Sequence, residues 1–211
     1  MSIQHVRPEE IERRSMEIIQ AELGDRAIEA EHRDVVLRVI HTTADFDYAE
    51  NLVFSEDAAA KGREAILNGA SIVTDTRMAW AGINKAALEK AGARALCFMG
   101  DEDVAQAARE QGTTRAWACM DKAATLEGDV IIAVGNAPTA LIRLRELIDR
   151  GKIRPRLVIG VPVGFVNVVE SKELIMEAGV PYIVAKGRKG GSNVAAAIVN
   201  ALAYRATGRQ L

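Results

Sequence analysis

Short apolar runs alternate with amphipathic segments over most of the chain, from about residue 55 to residue 202. The runs are apolar throughout, which is typical of strands buried on both faces of a parallel sheet. The segments between them carry apolar residues three or four positions apart, which predicts helices. The pattern therefore predicts an α/β fold with an open, doubly wound, mainly parallel sheet of about five or six strands and helices on both faces. The predicted strands are 71–75, 93–99, 129–135, 156–164 and 180–185.

The N-terminal part is less regular. Residues 8–23 predict an amphipathic helix that Pro8 can begin. Residues 26–40 allow two interpretations, because "DVVLRVI" fits either the end of a helix or a short strand. Further along, residues 78–92 predict one continuous helix. No repeat or linker divides the chain, so we expect a single domain over residues 1–211.

Composition and charge narrow the classes of function. The formal net charge of −2 argues against a nucleic-acid partner and against a basic surface for membranes. The charged N-terminal residues lack the apolar stretch of a secretory signal, and no apolar segment is long enough to span a membrane. The two cysteines, Cys97 and Cys119, are expected to be reduced, and no spacing of ligand residues predicts a metal site. We therefore expect a cytoplasmic protein without a bound metal.

Ligands of such sheets bind beyond the carboxyl ends of the strands, so candidate residues are sought in the loops there. Four such loops carry glycines, polar residues or cations: "DTRM", "GNAPTAL", "PVGFVN" and "KGRKGGSN". Pro138 can begin a helix after Asn136, and Ser192 or Asn193 can cap the last helix. Unpaired N–H groups at such helix starts attract anions, although loops of this kind are often only tight connections. Neither a phosphate-binding nor a dinucleotide-binding motif is present, which argues against a nucleotide-dependent enzyme.

Two further residues are open to a functional or a structural interpretation. His41 follows an apolar run, and imidazole is the side chain that exchanges a proton near neutral pH. No partner triad or histidine pair accompanies it, and a lone histidine beside an apolar run is more often structural than catalytic. Arg115 begins a predicted helix, where a cation is mildly unfavourable. His5 and His32 lie in polar surroundings and are expected to be solvated.

Taken together, several stretches resemble the precorrin-8X methylmutase family, which includes cobalt-precorrin-8 methylmutase. They are "RVIHTTADFDYAENLVFS", "GTTRAWACM", "GNAPTALIRL", "VIGVPVGFVNVVESKE" and "PYIVAKGRKGGSNVAAAIVNAL", and the likeness runs from about Glu9 to Leu202. The resemblance implies an isomerase of corrin biosynthesis that moves a methyl group from C-11 to C-12 of the macrocycle. The product would be hydrogenobyrinic acid, or cobyrinic acid when cobalt is present. It also implies a homodimer that needs no cofactor.

The resemblance also assigns roles to residues. His41 matches the histidine that protonates or hydrogen-bonds a ring nitrogen, and Arg115 matches the arginine after paired threonines. Ala116 stands where many members have serine. The substrate would be an apolar disc with a rim of carboxylates, and a non-catalytic corrinoid carrier is the alternative. The residues expected to contact the substrate are Ser15, Thr42, Asp75, Thr76, Arg115, Asn136, Thr139, Val163, Gly164, Phe165, Lys186, Gly187, Lys189, Gly190, Gly191, Ser192 and Asn193.

Overall fold

The computed structural model describes residues 7–209, so His5 lies outside the described residues. Within them, six strands form one sheet: β1 (Leu52–Phe54), β2 (Ser71–Thr74), β3 (Arg94–Leu96), β4 (Val130–Val134), β5 (Leu157–Gly160) and β6 (Tyr182–Ala185). The helices are α1 (Pro8–Leu23), α2 (Arg33–Thr43), α3 (Tyr48–Asn51), α4 (Ala58–Leu67), α5 (Arg77–Gly82), α6 (Lys85–Lys90), α7 (Glu102–Glu110), α8 (Arg115–Ala123), α9 (Pro138–Asp149), α10 (Val168–Met176) and α11 (Ser192–Ala206).

The sheet confirms the predicted doubly wound α/β architecture. Its strand order is β1-β6-β5-β4-β2-β3, and every pair is parallel except β1 with β6. The chain winds outward from β2 to β3 and then crosses back to β4, so the strand order reverses between β2 and β4. In such folds the crevice beyond the carboxyl ends of the two strands at the reversal is the usual ligand site.

Two apolar layers bury the two faces of the sheet. One layer lies under α1, α2, α4 and α11, and the other under α7, α8, α9 and α10. Helix α11 packs against α2, α4 and α5, and its buried face is rich in alanine, which allows the helices to approach closely. This packing places α2, and therefore His41, over the same half of the sheet as the last helix.

The structure resolves the segment that the sequence left ambiguous. "DVVLRVI" is helical, and its residues from Val35 to Ile40 are all buried because α2 packs between α1 and α11. A helix buried on opposite sides loses the polar face that would have distinguished it from a strand. His41 consequently lies in the last turn of a helix. The first helix has the predicted bounds of 8–23.

Three other expectations need correction. The helix predicted over 78–92 is divided into α5 and α6, because Asn84 caps α6 by accepting a hydrogen bond from the Ala87 N–H at 3.1 Å. Strand β1 was not predicted, since three residues give too short a pattern. His32 is not simply solvated: its ring stacks on Phe54 with centroids 3.8 Å apart.

Candidate active site

The four glycine-rich or polar loops meet at the carboxyl edge of the sheet, where the Gly164 N–H of the loop after β5 donates to the Arg188 carbonyl of the loop after β6 at 3.2 Å. The hydroxyl oxygens of Thr76, after β2, and Ser192, at the start of α11, lie 2.8 Å apart. Gly135, after β4, packs so closely that a Cβ there would lie 2.7 Å from the Ser192 Cα. The predicted grouping of Thr76, Gly191 and Ser192 at one edge is therefore present in the fold.

Asp75 occupies the crevice between β2 and β4. Its carboxylate is buried and accepts hydrogen bonds from the N–H groups of Gly135 at 2.8 Å, Asn136 at 2.8 Å and Ala137 at 2.7 Å. Burial raises the pKa of Asp75, while the N–H donors act in the opposite direction. The N–H groups expected to hold a substrate carboxylate are thus already bonded within the protein. This corrects the expectation for Asp75, which orders the loop from inside rather than facing a ligand.

His41 lies in a groove formed by α1 and α2. The groove has a volume of about 460 Å³ and is lined by Ser15, Ile18 and Glu22 from α1 and by His41 and Phe46, among others. His41 is half-buried, and the Ser15 hydroxyl donates to the Ile11 carbonyl at 2.8 Å. Two of the residues predicted for the site, Ser15 and His41, are therefore brought together although they are far apart in sequence.

The residues after His41 build a turn. The hydroxyls of Thr42 and Thr43 donate to the Arg38 and Val39 carbonyls at 2.9 and 2.8 Å. The Thr43 oxygen also accepts the Asp45 N–H at 3.2 Å, and Asp45 accepts the Asp47 N–H at 3.0 Å. These bonds serve the backbone, and Thr42 remains exposed beside His41.

The loop that follows β6 contacts this turn. Lys189 donates to Asp45 at 2.7 Å and to Asp47 at 2.6 Å, and these bonds raise the pKa of Lys189. The expectation that the Lys189 ammonium is free for a substrate carboxylate is therefore corrected, since it already bridges two carboxylates. Lys186 and Gly187 are exposed.

Helix α11 begins after Gly191 with no side-chain cap, so neither Ser192 nor Asn193 has the predicted capping role. Asn193 is exposed.

Sequence reasoning missed Lys172 of α10. Only 1% of this residue is exposed, and its ammonium donates to the carbonyls of Gly187 at 2.7 Å and Lys189 at 2.9 Å. Burial lowers the pKa of Lys172 to about 8. One signal in the sequence could have identified Lys172. It lies among the inward-packing positions of "VVESKELIM", and a lysine at a buried position of a helix is uncommon.

The loop after β5 and the start of α8 carry further residues that the sequence predicted for the site. Val163 and Phe165 are exposed, 47% and 81% respectively, after β5, and the Arg188 guanidinium lies 5.4 Å from the Phe165 ring centre. Gly164 between them has a φ of 144°. Arg115 is exposed at the start of α8. The preceding Thr114 hydroxyl lies 2.9 Å from that of Thr139, which brings the starts of α8 and α9 together.

A larger cavity, of about 680 Å³, has a mixed electrostatic character. Its lining includes both acidic and basic side chains, and Arg156 there lies 3.4 Å from Glu64.

Among the described residues, no group of three or more His, Cys, Asp or Glu side chains is arranged to hold a metal ion. Nor does any helix within residues 7–209 have the length and apolar character needed to cross a membrane.

Comparison with known proteins decides the family. The family model of precorrin-8X methylmutase matches residues 10–205. The chain belongs to the precorrin-8X methylmutase family. It is 43% identical to the cobalt-precorrin-8 methylmutase of Priestia megaterium over 201 residues, covering 95% of this chain and 89% of that protein. It is 42% identical to the precorrin-8X methylmutase of Pseudomonas aeruginosa, covering 92% of this chain and 93% of that protein.

A solved structure agrees with the sequence relatives. The crystal structure of precorrin-8X methylmutase from Thermus thermophilus superimposes with a TM-score of 0.86 at 41% identity, covering 96% of this chain and all of that one. Membership of this family confirms the expected class of activity, an isomerase of corrin biosynthesis.

Proposed function

We propose that this member of the family moves the methyl group from C-11 to C-12 of a corrinoid macrocycle, with His41 as the proton donor to a ring nitrogen. The observation that carries the assignment of His41 is its half-buried place in the groove beside Ser15. One C–C bond breaks at C-11 and another forms at C-12, so substrate and product are isomers. The proton that His41 lends to the ring returns to it, and no external cofactor is required.

The chemistry suits a single acid. Migration redistributes the conjugated double bonds of the ring, and a proton or strong hydrogen bond at a ring nitrogen stabilises the electron density that develops there. Imidazole can lend that proton near neutral pH. A nucleophile with a proton relay has no task in such a step, which explains why His41 needs no triad.

The exposed residues of the strand-end loops support binding of a disc with an anionic rim. We propose that Val163 and Phe165 contact the flat apolar face of the macrocycle. Arg115, Lys186 and Arg188 supply positive charge to the rim, and Thr139 and Asn193 supply further polar groups. The exposure of Phe165 in the described residues leaves its ring available for this contact.

The decisive experiment is anaerobic incubation of the purified protein with metal-free and with cobalt-containing precorrin-8, followed by absorbance. Conversion to the corrin chromophore is expected with at least one of them, and the comparison identifies the natural substrate. His41→Ala should still bind the macrocycle but lose the spectral change. Binding without conversion by the unmodified protein would instead favour a carrier, although the named relatives are all methylmutases.

Two broader properties are also proposed. We infer a homodimer, supported by the exposed apolar side chains Ile11 and Ile18 on α1, next to the His41 groove. Light scattering measures the mass directly, and a monomer at micromolar concentration would contradict this.

We also infer a cytoplasmic location, supported by the free state of Cys97 and Cys119. Fractionation of the producing cells would test this location.

A further inference from the structure

The loop 186–191 contacts both a buried lysine and the turn that follows His41. We propose that Lys172 and Lys189 are positioning residues, which act through this loop to fix the turn 43–47 and hence the imidazole of His41. The inference rests on the proposed function, because its main readout is methyl migration. It concerns how His41 is held, and assigns neither lysine a contact with the reacting atoms.

Lys172 holds the loop from beneath. Its buried ammonium donates to two loop carbonyls, those of Gly187 and Lys189, and no carboxylate among the described residues lies within ion-pair distance of it. An ammonium buried without a carboxylate partner costs several kcal/mol, whereas an apolar side chain would pack there at no such cost. A feature that is costly for stability and specific in its hydrogen bonds points to a role in placing the loop.

The loop is also held at its sides, so it has little freedom to move independently. The Gly191 N–H donates to the Val161 carbonyl at 2.9 Å, and the Gly164 N–H donates to the Arg188 carbonyl at 3.2 Å. At Gly190 a Cβ would lie 2.1 Å from the Val161 oxygen, so the backbone there lies directly against the end of β5. A displacement of the loop would therefore be transmitted to whatever Lys189 contacts.

Lys189 connects the loop to the histidine. Its side chain bridges Asp45 and Asp47, and Asp45 is in turn bonded to Thr43, two residues after His41. Partly exposed ion pairs of this kind contribute little to stability. Their removal should consequently leave the fold intact while loosening the turn, which allows activity and stability to be separated.

The competing role is a direct contact between Lys189 and a substrate carboxylate, and the two roles make opposite predictions for the aspartates. If Lys189 positions the turn, Lys189→Gln and the double variant Asp45→Asn with Asp47→Asn should have the same effect. If Lys189 binds substrate, removing the aspartate charges should release its ammonium and strengthen binding. Asparagine keeps the Asp45 oxygen that accepts the Asp47 N–H, so the local turn bonds are retained.

The chain offers a matched control. Lys122 also bridges two carboxylates, those of Asp101 and Asp103, at 2.7 Å each. Lys122→Gln should leave kcat and KM unchanged, because the pair lies outside the proposed binding surfaces. We expect Lys189→Gln and the double aspartate variant each to lower kcat about tenfold, with KM within about twofold, since small misplacements of a reacting group are costly. The triple variant should be no slower than either, as coupled contacts are not additive.

Three results would overturn the inference. They are unchanged kcat in Lys189→Gln, tighter substrate binding in the double aspartate variant, and additive losses in the triple variant. Lys172→Met should also lower kcat, with partial rescue in Lys172→Arg, and a folded Lys172→Met protein with native kcat would remove Lys172 from the scheme. Should Lys172→Met fail to fold, the Lys189 set decides alone.

A measurement without substrate separates this inference from the proposed function. The NMR signals of the His41 imidazole can be assigned by comparison with His41→Ala. If positioning is correct, these signals shift or broaden in Lys189→Gln but not in Lys122→Gln, whether or not the protein turns over precorrin-8. Absence of turnover by the unmodified protein would contradict only the proposed function, and an unaltered imidazole in Lys189→Gln would contradict only the positioning role.

Discussion

Asp75 at the end of β2 fixes Ala137, the residue before α9, through a hydrogen bond of 2.7 Å from the Ala137 N–H to the carboxylate. The same buried carboxylate also accepts the N–H groups of Gly135 and Asn136. A helix start in a doubly wound fold is often left open for an anionic ligand. Here a side chain of the protein takes that place, so these three N–H groups are already bonded within the protein.

Asp75→Asn should destabilise the protein strongly. The amide places an N–H₂ group among three N–H donors, and loss of these bonds in a buried position should lower the free energy of unfolding by about 2 to 4 kcal/mol. Urea denaturation provides the measurement. The matched change Asp57→Asn, at an exposed residue with a φ of 57°, should alter it by less than about 0.5 kcal/mol. Equal stability of the two variants would mean that the Asp75 bonds contribute little.

His41→Gln should abolish methyl migration while stability changes by less than about 1 kcal/mol, because the side chain is only half-buried. His32→Gln should behave in the opposite way. It removes the stacking on Phe54, so the free energy of unfolding should fall by about 1 kcal/mol, and activity should persist. Thermal unfolding and the absorbance assay on the same two preparations would show whether the effects separate. Loss of activity in both variants would argue for a general structural defect.

Lys172 should make stability depend on pH in the alkaline range. Its pKa is lowered by burial to about 8, whereas an unfolded chain keeps the ordinary value of 10.5. Below pH 8 both states hold the proton, and between pH 8 and 10.5 the unfolded state binds more protons, so the contribution to stability increases with pH. The free energy of unfolding of wild type relative to that of Lys172→Met should therefore rise by about 3 kcal/mol across this range.

Denaturation of both proteins at a series of pH values tests this, because the titrations of all other groups cancel in the difference. A difference that is flat between pH 8 and pH 10.5 would show that Lys172 titrates normally in the folded protein.

Arg115→Glu should weaken corrinoid binding without weakening the fold. A carboxylate at the first turn of α8 interacts favourably with the helix dipole, so stability should be unchanged or rise by about 0.5 kcal/mol. Repulsion of the substrate carboxylates should at the same time reduce affinity. Arg109→Glu makes the same change of charge at an exposed position in the last turn of α7. If both variants bind equally well, Arg115 does not contact the rim.

The sequence predicted the sheet and the loops at its edge because buried parallel strands and the helices between them leave strong periodic signals. Helix α2 was ambiguous because burial on opposite sides removed its polar face. Strand β1 was missed because it has three residues and depends on pairing with β6, which is distant in sequence.

The partners of the site residues were also beyond sequence reasoning. The glycine-rich loops correctly predicted which edge of the sheet carries the polar residues. No feature of the neighbouring sequence indicates that the Asp75 carboxylate accepts the N–H groups of one loop, or that Lys189 is bonded to the turn after His41. Such pairings join residues far apart in the chain, and only the fold determines them. Ser15 and His41, which the family resemblance assigned, do line one groove.

The packing of α2 against α11 has a consequence for the timing of synthesis. His41 leaves the ribosome early, but the helix that covers α2 comprises residues 192–206. Translation at about 5 to 20 residues per second separates the two by on the order of ten seconds or more. During this interval the apolar face of α2 that packs on α11 lacks its partner, and the nascent chain must avoid aggregation without that contact. The packing of α2 on α11 is therefore among the last contacts of the molecule to form.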